Sequence, residues 1–209
     1  MSALGTRATD YALLLPQGWE RIDLAPQRRA ADVDALLRRQ FDGVRTQEGL
    51  VEGLRTELLA QAARAAQVGG VDLHLSLMRA GVVLLPASLL VSVLPPGAGL
   101  GGDATGARAR RVALPAGEAL RRQRIVPATQ GPLGITGEAL VLEHLVAMPD
   151  AAGGSLLLTF SSPMTALAEP LLELFDAIAA GLSFVHPAPA RRREPAAAPR
   201  VRPAAADLP

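Results

Sequence analysis

The run "VDLHLSLM", residues 71–78, alternates apolar and polar side chains without a break, and no other feature narrows the folds open to this chain as much. Successive side chains of a strand point to opposite faces, so Val71, Leu73, Leu75 and Leu77 share one face, and Asp72, His74 and Ser76 share the other. Further strand-like runs follow at short intervals. "GVVLLPASLLVSVLPP" (81–96) suits a hairpin partner, with Pro86 at an edge or bulge. "ARARRVALPAGEALRRQRIVPA" (107–128) reads as two Arg-rich strands joined at Pro115-Ala-Gly117. "EALVLEHLVAM" (138–148) and "SLLLTFSS" (155–162) form a last hairpin. Earlier, "YALLLPQGWERIDL" gives two short extended segments around a Pro-Gln-Gly turn.

Helical spacing is confined to other parts of the chain. Val33, Leu36, Leu37 and Phe41 mark one apolar face, Leu50, Leu54, Leu58 and Ala62 a second, and Leu167, Leu171, Leu174, Ile178 and Leu182 a third within 163–182. Gly43 and Gly49 bracket the first break, and Gly69-Gly70 ends the second helix. Alternating strands with separately clustered helices indicate an α+β fold, not a βαβ wind. With 49% hydrophobic residues but only 3% aromatics, the core must be built from Leu, Val, Ile and Ala. The expected domain covers residues 1–186. From 187 to 209, "PAPARRREPAAAPRVRPAAADLP" has no apolar periodicity and is expected to be a disordered Pro/Ala/Arg-rich tail.

Ser161 and Ser162, between a strand and a helix, raise the question of a nucleophile elbow. That motif needs glycines flanking the serine, and Phe160 and Pro163 stand there instead. Ser162 before Pro163 fits a helix N-cap followed by proline in the first turn. Pro170 then either kinks that helix or marks where its main part starts. "GAGLGG" (97–102) satisfies G-x-G-x-x-G, but no helix N-terminus follows it to receive a pyrophosphate, so it reads as a flexible connection.

His74, His144 and His186 are isolated in sequence, and Cys is absent, so no metal site, cofactor signature or catalytic constellation emerges. His144 alternates with Leu142 and Val146 and is expected on a buried strand face, bonded to the last helix. Asp72 and His74 share a face that would serve proton transfer if a pocket lay there; a partly solvated strand face explains them more simply. Trp19 is a candidate partner contact, with closure of one end of the core as the plainer reading.

Every basic residue is Arg, and the charge is segregated. Residues 104–128 hold six Arg against one Glu, whereas 129–186 hold six acidic residues and no Arg. Arg108 to Arg124 therefore face the acidic block or water. Stacking aromatics are missing from this segment, which disfavours nucleic acid. The tail cluster Arg191, Arg192 and Arg193 is a weak signal for a charge-driven contact. No apolar run reaches the length of a membrane span, and no secretory signal is recognisable, so a cytoplasmic protein is expected.

The opening "LPQGW", the early helical region, the long meander and the closing "LLLTFSSP…LLELFDAIAAGLSF" resemble the PsbP-like superfamily over roughly residues 10–186. That fold is shared by a Ran-binding nuclear transport factor and by bacterial effector-associated chaperones. The resemblance implies an antiparallel sheet with helices packed on both faces, an α/β/α sandwich, in a cytoplasmic, actinomycete-type form associated with type VII secretion. It carries over no catalytic residue. The expected role is a non-enzymatic module that binds another protein.

Overall fold

The computed structural model describes residues 10–42, 49–81, 83–100, 109–128, 137–149 and 153–185. In chain order these form β1 (Asp10–Leu13), β2 (Trp19–Asp23), α1 (Pro26–Phe41), α2 (Leu50–Gln67), β3 (Gly70–Ser76), β4 (Arg79–Ala80), β5 (Val83–Leu84), β6 (Ala87–Leu94), β7 (Arg110–Leu114), β8 (Gly117–Ala128), β9 (Gly137–Ala147), β10 (Ser155–Ser162), α3 (Ala168–Ala180) and β11 (Leu182–Val185). The main sheet is antiparallel with strand order β2-β3-β6-β10-β9-β8-β7; β1 pairs with β11, and β4 with β5, in small ribbons. The fold is α+β.

Register explains how both faces of the sheet are covered. His74, Leu89, Phe160 and Leu142 lie opposite one another across β3, β6, β10 and β9, so their side chains share a face. That face carries Leu89, Val91, Leu142, Leu156, Leu158 and Phe160 against Leu171, Phe175 and Ile178 of α3. Phe160 and Phe175 stack with ring centroids 4.9 Å apart. On the opposite face, Ile22, Leu73 and Leu90 meet Val33, Leu36 and Leu37 of α1 and Ala62 of α2. Burying one such side chain fully contributes roughly 1.5–3 kcal/mol, so each helix face is a major source of stability.

Several local expectations are corrected. Val71 does not stay with Leu73, because a bulge between Gly70 and Asp72 turns it toward the α3 side. Pro86 is neither at an edge nor in a bulge; it immediately precedes β6, an interior strand. The helix expected over 163–182 is shorter. Thr165–Leu167 form a single 3-10 turn, and α3 starts at Ala168. Pro170 is its third residue, where the missing N–H had no intrahelical acceptor, so proline marks the start of the helix and causes no kink. Leu167 is accordingly exposed, Leu182 belongs to β11, and Phe175 takes the central inward position. Ser162 does not cap α3, whose N-cap position is Leu167. Its hydroxyl instead donates to the Pro86 carbonyl (2.8 Å) and accepts from the Met164 N–H (3.1 Å), which closes the turn out of β10. Gly43 and the tail from 187 lie outside the described residues.

Gly69 takes a left-handed conformation (φ 86°) that ends the α2 segment, and Gly70 brings β3 close beneath it. A Cβ on Gly70 would lie 2.6 Å from the Ala65 carbonyl oxygen and 2.7 Å from Leu90 Cδ1, too close for either to persist unmoved. Gly70→Ala is therefore expected to lower stability by roughly 1–3 kcal/mol in urea denaturation. Gly53→Ala, within α2 with nothing inside 4 Å, should raise it by about 0.5–1 kcal/mol.

Candidate functional site

Strand β3 aims Asp72, His74 and Ser76 at the α3 side of the sheet, and all three are buried. This corrects the expectation of a partly solvated face. Tyr11 and Leu13 of β1, together with Leu15 and Trp19, pack against the apolar core on this same face, and the Tyr11 hydroxyl reaches Asp72. Asp72 accepts from Arg21 Nε (2.8 Å) on β2 and from the Tyr11 hydroxyl on β1. Burial together with that bond raises the Tyr11 phenol well above its ordinary range. Ser76 donates to the Leu85 carbonyl (3.0 Å) and accepts the Met78 N–H (3.3 Å). Neither nitrogen of His74 has a hydrogen-bond partner among the described residues. Burial pushes its imidazole down to about 4, against the pull of Asp72, and Arg21 adds to the depression. On the shared strand face Asp72 is thus engaged by β1 and β2, and burial favours the neutral form of His74.

Trp19 is half-buried at the start of β2, packs against the α3-side core and donates its indole N–H to Met78 Sδ (3.2 Å). Arg191, Arg192, Arg193 and Arg108 lie outside the described residues.

Of the Arg-rich segment, Arg121, Arg122 and Arg124 on β8 find partners in the acidic block, the first of the two alternatives the charge pattern allowed, whereas Arg110 and Arg111 on β7 do not. Adjacent residues of β8 point to opposite faces, which splits the arginines between two internal networks. Toward α3, Arg121 grips both carboxylate oxygens of Asp176 (2.8 and 3.0 Å), and His144 Nε2 meets Asp176 Oδ1 at 2.9 Å. His144 is thus on a buried strand face and bonded to the last helix, as its alternation suggested. Burial lowers the His144 imidazole; burial works to raise the Asp176 carboxyl, but the Arg121 hydrogen bonds and charge outweigh it and hold it below the ordinary range. On the other face, Arg122 Nε (2.7 Å) and Arg124 Nη2 (3.2 Å) share the carboxylate of buried Glu143, and Arg122 Nη1 also reaches the Leu100 carbonyl. Sequence reasoning missed Tyr11, Arg21, Glu143 and Asp176. The complementary charge of the two blocks was the available signal, and only register shows which residues meet.

Ser161 faces Ser88 across the strands, with the two hydroxyls 2.8 Å apart. The glycine-rich loop begins with a turn at Pro95–Ala98, and the next described element is strand β7, not a helix. Among the described residues no group of three or more His, Asp or Glu could hold a metal ion, and no helix is long and apolar enough to cross a membrane. A groove of about 960 Å³ lies between the end of α1 and the start of α2, lined by Asp34, Leu37, Arg38, Phe41, Val51 and Arg55. A smaller one of about 270 Å³ lies over Leu120 and Leu145. Neither touches Asp72 or His74.

The outer edge of the sheet is a different matter. Strand β7 has β8 on one side and no described strand on the other. The two-residue turn Pro115-Ala116 makes Leu114 and Gly117 a hydrogen-bonded pair, and Val112–Ala119 and Arg110–Arg121 follow with the same parity. The N–H and C=O groups of Arg111 and Ala113 therefore point away from the sheet.

Two measurements check these assignments. A histidine kept neutral by the fold favours folding fully above about pH 6.5, where the unfolded chain is also neutral, and loses that advantage as pH falls toward 4, because only the unfolded chain takes up the proton. For His74 the effect is roughly 3 kcal/mol, and the His74→Leu variant should lose less stability than the parent between pH 7 and 4. Glu143→Ala, which takes the carboxylate from buried Arg122, should cost about 3–5 kcal/mol, and Glu143→Leu combined with Arg122→Met should recover most of it. Chemical denaturation at fixed pH reads both.

No family model, no curated protein and no solved structure matches this chain.

Proposed function

We propose that this chain is a non-enzymatic protein-binding module, an adaptor, accessory factor or chaperone of the cytoplasm, that takes an extended segment of another protein onto the outer edge of its sheet at β7. One observation carries this reading: the outward backbone groups of Arg111 and Ala113 stand at a sheet edge that no described strand covers. Such a row of donors and acceptors is the template for strand addition, in which main-chain hydrogen bonds supply affinity and alternate side chains supply selectivity. The resemblance to the PsbP-like superfamily, with its chaperone members, points to the same kind of role, and a link to type VII secretion is part of the proposal.

The disposition of ionisable groups supports it. Asp72, the carboxylate singled out in the sequence, is held by Arg21, and Asp176 and Glu143 are likewise each held by arginine. A small-ligand site at Asp72 and His74 would need an opening that neither groove provides.

Ala113→Pro removes one outward donor while leaving the β7–β8 ladder intact, since proline is tolerated on edge strands. Tagged parent and Ala113→Pro chains, captured side by side from the cell that makes the protein, should differ in one protein that the parent retains at near-equal stoichiometry. Identical retained proteins in both captures, or none in either, would overturn the proposal.

A further inference from the structure

We infer that the segment taken by β7 is acidic, with two consecutive carboxylate side chains opposite Arg110 and Arg111. The inference rests on the edge-binding reading and names the partner's chemistry. Strand β7, "RRVAL", contains two arginines and no acid. Arg110 shares the α3 side of the sheet with Val112 and Leu114, and Arg111 shares the other side with Ala113. One row inward, Arg121 is held by Asp176, and Arg122 and Arg124 by Glu143. The edge row is different. Arg110 is exposed and has no ion-pair partner among the described residues. The partner of Arg111 is Glu118 at 3.3 Å, with the two side chains 80% and 77% exposed. A pair so solvated is readily exchanged for another carboxylate.

A strand added to β7 sets its own residues directly opposite these arginines, where opposite charges attract and like charges repel. Because Arg110 and Arg111 project to opposite faces, the matching carboxylates must be neighbours in the partner sequence. Beside them, on the α3 side, Val112 and Leu114 are half-buried and offer a partly apolar ledge to an alternate partner residue. A second copy of this chain fits less well. If two β7 strands paired antiparallel about Val112, Arg111 would face Ala113 and Arg110 would face Leu114, so neither arginine of either copy would meet a carboxylate of the other's β7. The same charges that protect the edge from indiscriminate pairing thus select for an acidic strand.

The test uses the full chain and a panel of fluorescein-labelled ten-residue peptides that alternate Val and Thr around a central pair: Asp-Glu, Asn-Gln or Arg-Arg. Fluorescence polarisation at low salt should show the Asp-Glu peptide binding roughly tenfold more tightly than its Asn-Gln counterpart, as expected for two added charge pairs. The Arg-Arg peptide should be weakest, and added salt should narrow the differences. Arg110→Glu with Arg111→Glu, both surface positions, should reverse the order. Ala113→Pro should abolish binding of all three while leaving the circular dichroism spectrum unchanged. Equal binding of the three peptides, lost in Ala113→Pro, would overturn the acidic partner and leave the edge reading standing. No binding of any peptide, or binding indifferent to Ala113→Pro, would overturn both. A sedimentation mass that doubles with concentration in the parent but not in Ala113→Pro would assign the edge to a second copy and overturn the acidic partner.

Discussion

Strand β6 lies between β3 and β10 with apolar side chains on both of its faces, and the rest of the architecture follows from covering both at once. Leu89 and Val91 point toward α3, while Leu90 packs against the α1 and α2 cluster. A sheet buried on one side needs only one layer of helix; this one needs two layers that meet different residues of the same strands. The early helices cover β2, β3 and β6, and α3 covers the middle of the opposite face. The β1–β11 ribbon extends the second layer over β3, which α3 alone leaves open.

That double covering creates an electrostatic problem, because antiparallel alternation still places polar residues on faces that have become interior. A buried carboxylate or guanidinium is tolerable only when paired and hydrogen-bonded. The chain meets this with three arginine-centred clusters: Arg21 on Asp72, Arg121 on Asp176 with His144, and Arg122 with Arg124 on Glu143. Each ties together residues far apart in sequence, so each also specifies strand register. His74 is the exception among the buried polar residues. Lacking a partner among the described residues, it stays neutral and leaves a pH dependence in its place. At β7, Arg110 and Arg111 stand exposed without a buried acid, and there the backbone also faces outward.

The strands were legible because alternation and short turns are local signals. Joining at Pro115-Ala-Gly117 was readable for the same reason, as was the burial of His144 between Leu142 and Val146. Errors arose where a distant contact decided the outcome. Val71 changed sides through a bulge, and the Asp72 face became interior because β1, far back in sequence, folded over it. Ser162 looked like a cap because proline follows it, yet its hydroxyl goes to the carbonyl of Pro86, far back in sequence and just before β6. Of the candidate residues, Trp19 packs half-buried against the α3-side core, and Asp72 was engaged by Arg21 and Tyr11, two residues that no spacing rule brings to it.

The sequence by itself determined the fold class, the main strands and three helical regions, and the opposition of a basic strand pair to the acidic block 129–186, because period, turn chemistry and charge are properties of neighbouring residues. Tertiary structure alone decided which arginine meets which carboxylate, that the polar face of β3 is buried, and that β7 is an edge strand with no described strand beyond it. Strand order in an antiparallel sheet depends on packing between segments far apart in sequence, and no local pattern encodes which strands lie at its edges.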